Sequence, residues 1–228
     1  MIDFTSFRSV RVNLKENSLK FSIDTIRKTV RKDRLKRYIE KMNYKIKTVK
    51  SYSKISINAK KALFTKEITS LKQIITPHYK NILVSTPHYL NRKSNYRKCI
   101  LTSFGLSQYT KPLSMKAKEE IGKLFNTFGV DSIDLAIDSH NPINRKDLEK
   151  FGIVEHHRNT SYVNNPLNFS HITKIKYYDK TLQLREQQGL LIDRLIYRLE
   201  LTIKTNGKLK DLYVPIEEIK AIINRLFV

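Results

Sequence analysis

Two adjacent tyrosines, Tyr177 and Tyr178, stand in the basic segment KIKYYDK, which ends in Asp179 and Lys180. A tyrosine hydroxyl has an ordinary pKa of about 10, so at neutral pH it is a weak nucleophile until a base or a metal ion takes its proton. Lysine and arginine side chains stabilise the charge that develops when such a nucleophile attacks a phosphate. The segment therefore predicts phosphoryl transfer to a tyrosine, with Tyr178 as the nucleophile and Lys180 as a stabilising cation.

Acidic residues suited to this chemistry lie on two other segments. VDSIDLAID, residues 130–138, carries Asp134 and Asp138, and RLIYRLELTIK, residues 194–204, carries Arg198 and Glu200. Carboxylates are hard oxygen ligands, so we predict a divalent metal ion, Mg or Mn, bound by Asp134, Asp138 and Glu200. The two aspartates are roughly 13 Å apart on a straight strand, so they would need a bend or a third group between them. A solvated polar face of a half-buried strand explains the same alternation.

These residues must be brought together by three predicted β-strands, at 130–138, 171–180 and 194–204. In each segment, apolar and polar residues alternate with the period of two that is typical of a strand. If the three strands pair in one antiparallel sheet with their apolar faces against helices, one polar face collects the acids, the cations and the tyrosine. That face comprises Asp134, Asp138, Tyr178, Lys180, Arg198 and Glu200.

The charge of the chain indicates the class of substrate. The 228 residues include 44 Lys and Arg against 21 Asp and Glu, a formal net charge of +23. Such a field concentrates polyanions at the surface, and nucleic acid is the first candidate. We therefore expect Tyr178 to attack a DNA phosphate and to become covalently joined to it.

Half of the excess positive charge lies near the N-terminus, where residues 1–60 hold 17 Lys and Arg against 5 Asp and Glu. Apolar residues recur at steps of three to five in IDTIRKTVRKDRLKRYIEKM, which predicts a basic amphipathic helix over residues 23–42. An ordinary helix with a solvated charged face has the same pattern. The predicted DNA contacts are Arg27, Arg31, Lys32, Arg34 and Arg37 on this helix, with Lys174 and Lys176 on the tyrosine strand.

A membrane surface is the rival polyanion, but no apolar run approaches the roughly 20 residues of a spanning helix, and the N-terminus has no apolar signal-peptide core. The single cysteine, Cys99, forms no internal disulfide, which fits a reducing compartment. We therefore expect a cytoplasmic protein without a membrane partner.

Further elements complete the predicted α+β fold, an antiparallel β-sheet with helices mainly on one face. We predict a strand pair within residues 43–58, strands at 82–84 and 97–104, and helices at 59–75, 113–128 and 215–227. The domains are predicted as a basic DNA-contacting half, residues 1–100, and a catalytic half, residues 101–228. One continuous domain is the alternative.

In order, the motifs DLAID, KYYDK and RLEL, which lie between residues 128 and 205, resemble the replication initiation factor family. These are the rolling-circle initiators of small plasmids and related relaxases. The resemblance implies metal-dependent nicking of one strand at an origin, a 5′-phosphotyrosine intermediate and a free 3′-hydroxyl that primes synthesis. It implies Tyr178 as the nucleophile, with Tyr177 as the second candidate.

The same resemblance implies the remaining roles and partners. Asp134 and Asp138 come from the acidic strand, and Arg198 and Glu200 from the Arg-x-Glu strand. The implied substrate is origin DNA, single-stranded or cruciform, and the further partners are a host helicase and a second copy of the chain.

The sequence lacks the motifs of two other classes of DNA-nicking or DNA-joining enzyme. Histidine-based relaxases need a His-apolar-His metal motif and tyrosine recombinases a His-x-x-Arg, and none of the six histidines fits either pattern. A non-enzymatic nucleic-acid-binding protein, a repressor or RNA-binding factor, stays open. In that case the acids are salt-bridge partners, and the tyrosines are strand residues or stack on bases.

Overall fold

The structure is a computed structural model that describes residues 10–13, 18–49, 63, 68–91, 97–107 and 112–227. One antiparallel sheet runs through the described residues. Its strands are β1 (Val10–Asn13), β2 (Ser18–Arg31), β3 (Lys45–Thr48), β4 (Ile68–Ile75), β5 (Ile82–Pro87), β6 (Lys98–Phe104), β7 (Ser132–Ser139), β8 (Val154–His157), β9 (Thr160–Asn164), β10 (Ile172–Asp179) and β11 (Tyr197–Lys204). Their order is β3-β4-β5-β6-β2-β7-β11-β10-β9-β8, and β1 also pairs with β2.

Four α-helices accompany the sheet in the described part of the chain: α1 (Lys32–Lys41), α2 (Met115–Phe128), α3 (Lys180–Gln188) and α4 (Ile216–Phe227). Short 3₁₀ helices span His88–Asn91, Arg145–Phe151 and Leu209–Asp211. The side chain of Ser114 caps α2 by accepting a hydrogen bond from the Ala117 amide, and Gly129 ends this helix with a φ of 86°.

The main hydrophobic core lies between one face of the sheet and helices α1, α2 and α4. Leu35 of α1, Phe125 of α2 and Ile222 of α4 belong to one buried cluster with the strand residues Leu135 and Leu201. The prediction of an α+β fold, with helices mainly on one face of an antiparallel sheet, is confirmed. No helix within the described ranges combines the length and the apolar character needed to cross a membrane.

The three predicted strands of the C-terminal half pair as expected. β10 pairs with β11 and β11 with β7, all antiparallel. The register joins Tyr178, Arg198 and Asp138 in one cross-strand row and Lys176 and Glu200 in the next. Because cross-strand partners project from the same face, these side chains share the face opposite the helices. The polar face of β7 is buried, however, and not solvated.

The predicted helix over residues 23–42 is wrong in its first half, because residues up to Arg31 form β2 and the helix begins at Lys32. A β-bulge lies between Ile23 and Thr25 and inserts one extra residue, Asp24. The core-facing residues before and after it, Ile23 and Ile26, are therefore three apart, a spacing that imitates a helix. The many β-branched residues of this segment favour the strand.

The predicted helix over residues 59–75 is also wrong where it can be compared, since Ile68–Ile75 form β4. Leu71 packs in a small second cluster, with Leu83 and Phe104, on the polar side of the sheet, whereas Ile74 packs in the main core. The two buried residues of β4 thus lie on opposite faces and three positions apart, a spacing that imitates a helix.

A strand pair was predicted within residues 43–58. Its first strand is present as β3, and the second falls in residues 50–58, which lie outside the described residues. The strands at 82–84 and 97–104 and the helices at 113–128 and 215–227 are confirmed within a few residues. The domain boundary near residue 100 stays a prediction.

Candidate active site

The centre of the polar face is a hydrogen bond between Tyr178 and Glu200. The Tyr178 hydroxyl donates to Glu200 Oε1 at 2.5 Å, and Lys176 Nζ lies 2.5 Å from the other carboxylate oxygen, Oε2. All three side chains come from the paired strands β10 and β11, so the sheet fixes their spacing. A nucleophile bonded to a base, with the base held by a third group, is an arrangement typical of covalent catalysis.

Burial and neighbouring charges set the protonation states of this pair. Burial raises the pKa of Tyr178 well above its usual value, and the negative charge of Glu200 raises it further. Burial alone would raise the pKa of Glu200, but Lys176 and Arg198 outweigh it and hold that pKa at about 2. At neutral pH the phenol is therefore protonated and the carboxylate is ionised.

Arg198 lies beside this pair and is almost completely buried, with 1% of its side chain exposed. Its Nε and Nη2 donate to the two carboxylate oxygens of Asp138 at 2.6 and 2.9 Å. Its Nη1 donates to Ser107 Oγ at 3.0 Å and lies 3.4 Å from Asp24 Oδ1. Burial lowers the pKa of Arg198, but Asp138 reverses this effect and raises it well above its ordinary value.

Two lysines lie against the ring of Tyr178. The Nζ atoms of Lys176 and Lys180 are 4.4 and 5.7 Å from the ring centroid, within the range of cation–π contacts. Lys180 is the first residue of α3 and not a strand residue as predicted, because Asp179 caps the helix through the Leu182 amide. Burial and the charge of Arg198 lower the pKa of Lys180 to about 8.

The predicted metal ligands do not converge on one point. Asp134 receives two hydrogen bonds from Arg27, at 2.8 and 2.6 Å, and one from Thr202. Asp138 is held by Arg198, and Glu200 by Lys176. Within the described ranges, no three His, Cys, Asp or Glu side chains are placed to hold a metal ion together. These three carboxylates therefore do not fit the predicted ion as a shared ligand set.

Tyr177, the second candidate nucleophile, lies on the opposite face of β10. Its hydroxyl accepts a hydrogen bond from the Ile143 amide at 3.0 Å, and its ring stacks on Tyr197 with centroids 6.4 Å apart. Tyr177 belongs to the main hydrophobic core. The structure therefore places Tyr178, and not Tyr177, with the acids and cations.

The predicted DNA contacts on the N-terminal segment divide into two groups. Arg27 is buried and paired with Asp134, so this residue is a structural partner of β7 and not part of a surface. Arg31, Lys32, Arg34 and Arg37 are exposed around the start of α1. Asp33 partly offsets their charge, because it pairs with Arg31 at 2.9 Å and with Arg37 at 3.7 Å.

The two predicted contacts on β10, Lys174 and Lys176, lie on the same face as Tyr178. Lys174 Nζ is 4.7 Å from the ring centroid of Tyr162 on β9. Burial, followed by the nearby charge of Lys176, lowers the pKa of Lys174. This side of the sheet thus presents lysine and tyrosine side chains next to the tyrosine–glutamate pair.

Two residues of the site, Asp24 and Ser107, were missed by the sequence analysis. Asp24 was hidden inside the predicted helix, and Ser107 follows β6 with no motif around it. The only sequence signal for Asp24 is the change of apolar spacing from two to three at this position, which is the signature of a bulge.

No protein-family model matches this chain, and no curated protein matches it. Among solved structures, the chain is similar to one described as the rolling circle replication initiator protein from Geobacillus stearothermophilus. The TM-score is 0.48 and the sequence identity 13%, with 91% of this chain and 85% of that chain covered. A match at this level has no bearing on the chemistry of the site.

Proposed function

We propose that this chain is a DNA nicking and joining enzyme of the rolling-circle initiator type, with Tyr178 as its nucleophile. The observation that carries the proposal is the hydrogen bond from the Tyr178 hydroxyl to Glu200, on a sheet face that also holds Arg198, Lys176 and Lys180. The net charge of +23 supports a polyanionic substrate.

The reaction is a transesterification. The Tyr178 oxygen attacks the phosphorus of a DNA phosphodiester and forms a new P–O bond, while the bond from phosphorus to the 3′ oxygen breaks. The phenolic proton passes to Glu200, and the leaving 3′ oxygen takes up a proton. Lys180 is a suitable donor for that proton, because its pKa of about 8 keeps it mainly protonated at neutral pH. The products are a 5′-phosphotyrosine and a 3′-hydroxyl that can prime synthesis.

Glu200 is a weak base in the free protein, because Lys176 and Arg198 stabilise its charge. A DNA phosphate bound to Lys176 would draw that cation away from the carboxylate and raise the pKa of Glu200. Substrate binding would in this way strengthen the base at the moment when the phosphorus arrives. Lys176 would therefore contact Glu200 in the free protein and the phosphate in the complex.

The requirement for Mg or Mn stays a prediction, and no step above depends on the ion. Origin DNA, single-stranded or cruciform, is the proposed substrate, and a host helicase and a second copy of the chain are the proposed partners. Exposed cations at the start of α1 are proposed to contact the DNA backbone away from the site; they are Arg31, Lys32, Arg34 and Arg37.

The test is a denaturing gel with end-labelled single-stranded oligonucleotides drawn from the element that encodes the protein, with manganese, magnesium or a chelator. We expect a protein-linked DNA band from the wild type and none from Tyr178→Phe. Tyr177→Phe is the matched control, because it removes a hydroxyl from the opposite face of the same strand. A full yield of linked DNA from Tyr178→Phe would falsify the assignment.

A non-enzymatic DNA- or RNA-binding protein is the second candidate. It is favoured by the pairing of each carboxylate predicted as a metal ligand with a cation and by the burial of Tyr178, which is 3% exposed. In that case the polar face is a network that stabilises the sheet. Salt-sensitive binding without any linked DNA, on oligonucleotides that include the origin and with every metal, would support this candidate.

A further inference from the structure

Asp24 reaches the candidate site because of the bulge in β2. The strand register shifts between Ile23 and Thr25, so that Asp24 is the extra residue opposite β7. Its side chain accepts a hydrogen bond from Ser107 Oγ at 2.5 Å and lies 3.4 Å from Arg198 Nη1. Bulges re-aim side chains, and they are common next to active sites.

Arg198 is held differently at its two edges. Asp138 accepts two short hydrogen bonds from the Nε–Nη2 edge, and its side chain is 5% exposed. Asp24 meets the Nη1 edge at the longer distance of 3.4 Å, and its side chain is 25% exposed. Asp138 is therefore the buried anchor of Arg198, whereas Asp24 is the partly exposed partner at Nη1, an atom that also donates to Ser107 Oγ at 3.0 Å.

We propose that Asp24 is a displaceable counterion, which occupies the Nη1 edge of Arg198 in the free protein and gives up that edge to a DNA phosphate. This inference rests on the proposed function, since it assumes that a phosphodiester binds beside Tyr178. Asp24 acts through Arg198 and is thus a positioning residue, not a catalytic one.

The charges of the site support such an exchange. Arg198, Asp138 and Asp24 together carry one net negative charge, so Asp24 weakens the attraction that Arg198 exerts on a phosphate as long as it stays in place. Moving Asp24 aside leaves a neutral Arg198–Asp138 pair whose Nη1 edge suits a phosphate oxygen. The same movement takes a negative charge away from Tyr178, whose pKa Asp24 helps to raise, although less than burial and Glu200 do. Phosphate binding and tyrosine activation would therefore be coupled.

The experiment measures binding of fluorescein-labelled oligo(dT) of six nucleotides by fluorescence anisotropy over a range of salt concentrations. The variant is Asp24→Asn, which keeps the shape of the side chain. The matched control is Asp211→Asn, which makes the same charge change at an exposed site in the Leu209–Asp211 helix. We expect Asp24→Asn to bind about tenfold more tightly than the control, as one charge-assisted contact would give. Its plot of log K against log salt concentration should be steeper by about 0.7, which is the value for one further phosphate contact.

A second variant, Ser107→Ala, keeps the test decisive if Asp24→Asn does not fold. It leaves the net charge unchanged and removes the hydroxyl that bonds to both Asp24 and Arg198. We expect it to bind the oligonucleotide about two- to threefold more tightly than wild type, because Asp24 is then less firmly held. The inference would be overturned if Asp24→Asn had the same affinity and salt slope as Asp211→Asn, and Ser107→Ala the same affinity and salt slope as wild type.

The outcomes also separate this inference from the proposed function, because binding and covalent linkage are measured independently. If wild type forms the Tyr178-dependent adduct and Asp24→Asn binds like its control, only the counterion role fails. If no adduct forms but the Asp24→Asn effect is present, the nicking activity fails and a phosphate site at Arg198 stands.

Discussion

Tyr178 and Arg198 are directly paired across β10 and β11, yet the Tyr178 hydroxyl bonds to Glu200, two residues further along β11. Arg198 turns the other way, toward Asp138 on β7. Each of these neighbouring side chains thus bonds to a carboxylate of its own, Tyr178 to Glu200 and Arg198 to Asp138. The positive charge of Arg198 still acts on the tyrosine, since it opposes the rise in the pKa of Tyr178.

The pH profile of adduct formation should fall at high pH because of Lys180. Its pKa is lowered to about 8 by burial and by Arg198, so it loses its proton as the pH rises through that value. If Lys180 protonates the leaving oxygen, single-turnover rates should decline above pH about 8. In Lys180→Arg, whose guanidinium stays protonated, that decline should be absent. An identical alkaline limb in both proteins would assign it to another group.

Acid unfolding should depend on Glu200. Its pKa in the folded protein is about 2, below the ordinary value of 4.5, so the ionised carboxylate stabilises the fold above pH 4.5. That stabilisation is lost as the pH falls from 4.5 to about 2, and it amounts to on the order of 3 kcal/mol. In Glu200→Gln, the free energy of unfolding in urea should be lower at neutral pH and should vary less over this acid range. Parallel curves for both proteins would contradict this account.

The buried pair of Asp138 and Arg198 should be costly to break. Asp138→Ala leaves the Arg198 guanidinium buried without its two-point partner, and such changes lower the free energy of unfolding by about 3–5 kcal/mol. The control is Lys220→Ala, which breaks an exposed ion pair with Glu217 and should have almost no effect. Urea unfolding of both variants decides the matter, and similar losses would show that burial of the pair is unimportant.

Two glycines of α2, one at its end and one in its interior, should respond in opposite directions to replacement by alanine. At Gly129, with φ of 86°, a Cβ would lie 2.9 Å from the Gly207 carbonyl oxygen, which is fixed by a hydrogen bond from the Val130 amide. Gly129→Ala should therefore cost on the order of 1–3 kcal/mol of stability.

Gly122 lies inside the same helix, and a Cβ there meets nothing within 4 Å. Gly122→Ala should raise stability by about 0.5–1 kcal/mol, because alanine loses less backbone entropy in a helix. Thermal unfolding of the two variants is the measurement, and a loss of stability at Gly122 would mean that the space beside it is occupied.

The sequence was most informative where one face of a strand is apolar throughout. Ile133, Leu135 and Ile137 alternate with two aspartates and a small alanine, so both the strand β7 and the face of its aspartates could be predicted. The pairing of β7, β11 and β10 followed from the same alternation. Order and spacing along the chain were sufficient there, because no bulge interrupts the register between β7 and β11.

The partners of the predicted site residues could not be read from the sequence. Asp134 was predicted as a metal ligand and Arg27 as a DNA contact, but the two bind each other from positions 107 residues apart. Such a pair depends on which strands are neighbours, and the helical spacing around the Asp24 bulge concealed that β2 is a strand. Residue types therefore indicated the chemistry, while tertiary pairing decided which charges neutralise one another.

The position of β2 has a consequence for the folding of the chain. This strand precedes residue 100, yet it lies in the middle of the sheet and pairs with β6 on one side and β7 on the other. A fragment that began at residue 101 would expose the edge of β7 and would lack Asp24, so it should aggregate and form an incomplete site. About a hundred residues separate β2 from its partner β7 along the chain. Because pairing between segments so far apart in sequence is slow, we expect slow folding that is limited by this pairing.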